Sequence, residues 1–213
     1  MSSEIVIYAA TTDAQINGSN RTYLSAHLSS AAFDSALTSL RVGQATGYLV
    51  HRAFLEFDTS AVVGTIIKAV LRLTCKTDAS ATDFYVRVRK HDWASPIGTG
   101  NREANYDGAV LATLDVSFAD TADLAVDVSH DSPDLDLTWI SRTGMTRYAL
   151  VSNRDTLAFA PTNDEYVLFY SAEQGGAAGP QLVLTVAEQP RAKRGELLPG
   201  MRLWTPRQRG AFA

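Results

Sequence analysis

Residues of alternating character dominate this chain, and that alternation constrains its fold more than any other feature. In the stretch Lys68 to Cys75, Ala69, Leu71, Leu73 and Cys75 fall on one side while Lys68, Arg72 and Thr74 fall on the other. Apolar residues recurring at every second position mark a half-buried β-strand, because successive side chains of a strand point to opposite faces. Tyr48 to Phe57 repeats the pattern, with Leu49, Ala53, Leu55 and Phe57 on one face and Arg52 and Glu56 on the other. In Phe84 to Lys90, Phe84, Val86 and Val88 face inward and Arg87 and Arg89 outward. Shorter strands are expected at 5–8, 110–116, 124–128, 148–152, 166–170 and 181–186.

Turn-forming pairs punctuate these runs, among them Asn17-Gly18, Asp107-Gly108 and Gly175-Gly176. A single antiparallel sheet would leave its apolar face in water, so two sheets packed face to face are expected. The fold class is therefore all-β, a two-sheet antiparallel β-sandwich of jelly-roll type. Helical periodicity is weak. Its best stretches are 31–40 and 137–147, each expected to be a short helix or an ordered loop.

Charge divides the chain in two. From Pro190 to the end there are six basic residues and one acidic residue, Glu196, whereas the preceding part holds 13 basic and 22 acidic residues. This asymmetry, together with prolines at 190, 199 and 206, separates a domain over 1–188 from a basic extended C-terminal arm over 189–213. An acidic domain argues against a nucleic-acid-binding face, which needs clustered Lys and Arg. The arm intersperses Leu198, Met201, Leu203, Trp204 and Phe212 among Arg194, Arg202, Arg207 and Arg209. Apolar residues in such a segment gain nothing in water. They are expected to bind a partner, with Trp204 as anchor and the arginines pairing with an acidic surface.

Signals for chemistry are sparse. His27, His51, His91 and His130 are scattered without metal-ligand spacing, and no nucleophile elbow or phosphate-binding loop occurs. No catalytic set assembles, so a non-enzymatic protein without a required cofactor is expected. Asp131, Asp134 and Asp136 lie close enough in sequence to offer oxygen ligands to Ca²⁺, the one cofactor candidate. Trp93, Tyr106 and Trp139 fall in or beside expected loops, where aromatic faces stack on sugar rings. Arg52 and Asp58, at opposite ends of one strand, are expected to form ion pairs with neighbouring strands.

Four segments in order, RAFLEFDTS at 52–60, IKAVLRL at 67–73, YVLFYSAE at 166–173 and GPQLVLTV at 179–186, resemble the DNRLRE-type jelly-roll domain, a relative of carbohydrate-binding modules. The resemblance covers about residues 5–186. It implies a two-sheet sandwich, found as an accessory domain of secreted surface proteins and, in variant form, in phage virion proteins. The start Met-Ser-Ser-Glu-Ile-Val lacks a secretory pattern and the basic extension departs from the secreted form. A virion structural protein assembled in the host cytoplasm, a capsid decoration or tail component, is therefore expected. Its partners would be copies of itself or a major capsid or tail protein, with no membrane. The alternative is a carbohydrate-binding module or host-glycan receptor domain, extracellular or at a cell surface.

Overall fold

The computed structural model describes residues 2–35 and 38–187. Twelve strands follow one another as β1 (Ser2–Tyr8), β2 (Ala14–Ser19), β3 (Ser30–Asp34), β4 (Ser39–Ala45), β5 (Leu49–Asp58), β6 (Thr65–Asp78), β7 (Tyr85–Lys90), β8 (Thr113–Asp120), β9 (Ser129–Asp131), β10 (Met145–Ser152), β11 (Glu165–Tyr170) and β12 (Gln181–Ala187). Among the described residues three α-helices interrupt them: α1 (Tyr23–His27) after β2, α2 (Arg102–Leu111) after β7 and the single turn α3 (Asn153–Thr156) after β10. Every pairing is antiparallel, in the order β1-β12-β6-β11-β4-β5-β10-β7-β8, with β9 on β6 and the β2-β3 pair on β5. No helix among the described residues is long and apolar enough to cross a membrane.

The architecture is the expected β-sandwich. β6 belongs to both layers: residues 65–72 pair with β12 and residues 75–78 with β11, so the strand carries the sheet around from one layer to the other. Between the layers lies the main core, which collects Leu55, Phe57, Leu71, Leu73, Phe84, Val88, Leu150, Phe169, Leu182 and Leu184, among others. The alternation in 53–57, 69–75 and 84–88 points these side chains inward, as the sequence indicates.

A second core lies outside the sandwich. Ile16, Val50, Phe54, Ala149 and Val151 leave the outer face of β2, β5 and β10 and are covered by Tyr23 and Ala26 of α1, Tyr106 and Ala109 of α2, and Trp93. This cap changes the meaning of the alternation in β5. The face that holds Arg52 and Glu56 is the even-numbered one, as expected, but it is buried beneath the cap rather than open to water.

Several local expectations need correction. Residues 31–35 and 38–40 form no helix: 31–34 belong to β3 and 39–40 open β4, because pairing with β2 and β11 outweighs the mild helical preference of Ala and Leu. Residues 137–147 give one 3-10 turn at Leu137–Trp139, capped by the Asp136 carboxylate accepting from Thr138 N, and then the start of β10. The expected strand 110–116 is divided between the end of α2 and the start of β8. Over 124–128 the chain turns, with Asp127 at φ 61°, while Asp127 N and Val128 O bond to Cys75 of β6. Asp107-Gly108 lies inside α2 and not in a turn. Glycine is needed there because a Cβ would run into the His91 ring.

Candidate functional site

The cap is built around Arg52. Its strand position aims the guanidinium away from the main core and under α1 and α2, where the side chain is 1% exposed. Nε donates to Asp155 Oδ2 at 2.7 Å and Nη2 to Asp155 Oδ1 at 3.0 Å, a two-pronged pair with a carboxylate that is also 1% exposed. Nη1 also donates to Tyr106 O at 2.7 Å and Nη2 to His27 O at 2.9 Å. The guanidinium carbon sits 3.7 Å from the centroid of the Tyr106 ring, a cation–π contact.

Asp155 reaches this point because the Ser152 hydroxyl caps the single turn α3, accepting from Arg154 N, and turns the chain inward after β10. His27 closes the group from α1, with Nδ1 2.7 Å from Asp155 Oδ1. A carboxylate only accepts, so the proton of that bond is on Nδ1. Burial by itself raises the pKa of Asp155. The Arg52 charge and the bonds from His27 and Arg52 overcome it and hold the carboxyl below its ordinary range. Tyr106 Oη in turn donates to Ala26 O at 2.7 Å, tying α2 to α1. One buried cation thus fixes β5 and all three helices.

Above this group, between α1 and α2, opens a cleft of about 250 Å³ lined by His27, Leu28, Arg52, Asp107, Val110 and Leu111. Leu28 and Leu111 are among the most exposed apolar side chains, Leu111 at 83%, and Leu24 stands exposed one turn before Leu28. Burial, then the neighbouring Glu103 carboxylate, push the Asp107 carboxyl above its usual range, with the Arg52 charge opposing them.

A second surface lies on the outer side of the first layer. Tyr8, Gln181, Arg72 and Asp131 stand side by side across β1, β12, β6 and β9. Arg72 grips Asp131 through Nε to Oδ1 at 2.6 Å and Nη2 to Oδ2 at 2.8 Å. A shallow groove of about 520 Å³ runs past Arg72, His130, Asp131 and Gln181.

The residues singled out from sequence do not converge. Trp93 is 1% exposed and Tyr106 0%, so neither ring has a face open to a sugar; both are pillars of the second core. They lie on connections that the cap seals, and Trp93 donates Nε1 to Leu55 O at 3.3 Å. Trp139 is half-buried against the main core and donates to Arg147 O at 2.8 Å. Asp131, Asp134 and Asp136 each face a different cation, Arg72, Lys68 and Lys90, and among the described residues no group of three metal-ligating side chains forms. Asp58 bonds locally to Ser60, a strand-ending turn rather than an interstrand ion pair. The arm residues Arg194, Leu198, Met201, Arg202, Leu203, Trp204, Arg207, Arg209 and Phe212 lie outside the described residues.

Sequence reasoning missed His27 and Asp155 as a pair. Nothing in their spacing links two residues that meet only through the cap. His51 is buried, with Nδ1 2.7 Å from Asn17 Oδ1. No protein-family model matches this chain, and no curated protein matches it either.

Proposed function

We propose that this chain is a non-enzymatic structural protein of a virion, a decoration or tail component that works by protein–protein contact through its sandwich and its basic C-terminal segment. The observation that carries this reading is the exposed apolar side chains of the cap: Leu28 and Leu111 line a small cleft and face water, and Leu24 is exposed one turn before Leu28. Exposed apolar side chains beside a cleft suit an interaction site. The charge split supports the same reading, since an acidic body followed by a basic segment rich in apolar residues suits complementary packing of copies or docking on a shell protein. The buried Arg52, Asp155 and His27 fit a structural role, since they bond to one another and to the backbone.

Light scattering on the full chain and on a version ending at Glu188 tests the proposal. A discrete oligomer that becomes a monomer on shortening supports it. Two folded monomers overturn self-assembly through the C-terminal segment.

A second reading, a glycan-binding module, is favoured by the row of Tyr8, Gln181, Arg72 and Asp131, which joins an exposed ring to polar groups along an open groove. A glycan bound there raises the melting temperature by mass action. Tyr8→Ala abolishes the rise if this reading holds.

A further inference from the structure

We propose that the cleft between α1 and α2 is the receptor for Arg202-Leu203-Trp204 of a second copy of this chain. The proposal rests on the reading of the C-terminal segment as an assembly device, and it names the surface that receives it.

Size favours a side chain over a metabolite. At about 250 Å³ the cleft falls below the roughly 300–1,000 Å³ of ordinary small-molecule pockets, and one large ring fills it. Its walls are apolar, Leu28, Val110 and Leu111, while its floor is Arg52 and His27, whose bonds are already committed to Asp155 and to backbone carbonyls. An apolar body with a single polar edge, as in tryptophan, suits such a site.

Charge favours a basic flank. Asp107 lines the cleft and shares its neighbourhood with Glu103, so a cation relieves a like-charge contact. Arg202 stands two residues before Trp204 in a segment with six basic residues and one acidic residue. Tryptophan and arginine are also the residue types that most often carry interface energy.

Connectivity favours a neighbour. The last described strand ends at Ala187, paired with Ser2 and Thr65 in the first layer. The cleft lies beyond the opposite layer, outside the second core. Trp204 lies seventeen positions beyond Ala187, a reach of at most about 55–60 Å. To fill its own cleft the segment would have to round the sandwich. Reaching an adjacent copy needs no such detour, and mutual exchange gives a closed assembly.

The test uses the full chain, measured by sedimentation equilibrium, with Trp204→Ala and with Leu111→Glu. Each variant is expected to weaken self-association about thirtyfold or more, the effect of losing an interface hot spot. The melting temperature of the domain is expected to stay unchanged, because Leu111 is an exposed residue. Mixing the two variants is expected to restore association in part, since one of the two exchanged contacts, an intact segment on an intact cleft, is then regained. If Trp204→Ala dissociates the assembly and Leu111→Glu does not, the receptor lies elsewhere, although the assembly reading stands. If the wild type associates and neither variant changes it, both the receptor and the C-terminal anchor are wrong. A monomeric wild type overturns the exchange between copies, and a Trp204 fluorescence change on Leu111→Glu then places the segment in its own cleft.

Discussion

Arg52 and Asp155, 103 residues apart in sequence, meet in a two-pronged ion pair that water hardly reaches. The pair decides how the cap sits on the sandwich, because the same guanidinium also holds the backbone of α2 at Tyr106 and of α1 at His27. Removing one partner leaves a buried charge and unpaired carbonyls. Arg52→Leu is expected to cost about 3–5 kcal/mol, the usual penalty for breaking a buried pair. Urea denaturation measures it. In Arg52→Leu/Asp155→Leu the loss is expected to be smaller than the sum of the two single losses, because the uncompensated charge is then gone. An additive double variant refutes the coupling.

Gly18 connects β2 to the same cap. A Cβ on this residue would collide with Ala26 O and with the Tyr106 hydroxyl, the two ends of the bond that ties α1 to α2. Gly18→Ala is therefore expected to destabilise the chain by about 1–3 kcal/mol, an overpacking cost. Adding Tyr106→Phe to Gly18→Ala removes the colliding oxygen and is expected to recover part of the loss. Thermal melts of the single and double variants decide the matter.

Legibility followed the number of faces a strand buries. β6 and β7 point one face into the main core, and their period of two reads directly as structure. β5 is buried on both faces, so the same alternation correctly separates Leu55 and Phe57 from Arg52 and Glu56 but gives no sign that the second set is covered as well. α2 escaped notice because its buried residues are Asn105, Tyr106 and Ala109, a weak apolar stripe, with a glycine in its last turn. Trp93 and Tyr106 looked like loop aromatics for the same reason: what buries them comes from α1, α2 and the outer face of β5 and β10, distant in sequence. Pairings of this kind leave no local period to detect.

His51 gives the chain a defined response to acid. Burial, then the Arg41 charge, lower its pKa from the ordinary histidine value to about 3. The unfolded chain binds the proton below about 6.5, whereas the folded chain does so only near 3. This contribution to stability is complete above pH 6.5 and is lost as pH falls from there towards 3, with a slope of up to about 1.4 kcal/mol per pH unit. His51→Gln removes the titrating ring. Its unfolding free energy is expected to fall less steeply than that of the wild type between pH 6 and 4. Parallel slopes would show that His51 is not the group responsible.

Asp13 responds in the opposite sense. It is 1% exposed at the turn between β1 and β2, and its Oδ2 accepts from Ala172 N at 2.8 Å. Burial raises its pKa, the Ala172 bond lowers it part of the way, and the Glu173 carboxylate raises it again, to about 7. The folded chain therefore holds this proton between the unfolded value near 3.8 and 7, and stability declines as pH rises through that window. Asp13→Asn keeps the size and an acceptor for Ala172 N while removing the charge. Above pH 7 the variant is expected to melt at a higher temperature than the wild type, and the difference is expected to shrink as pH approaches 4. The Glu173→Gln variant removes the like-charge neighbour, lowers the Asp13 pKa, and is expected to make the decline smaller and end it at a lower pH. Melting curves from pH 4 to 8.5 distinguish these outcomes, and a difference that does not depend on pH would exclude Asp13 as the source.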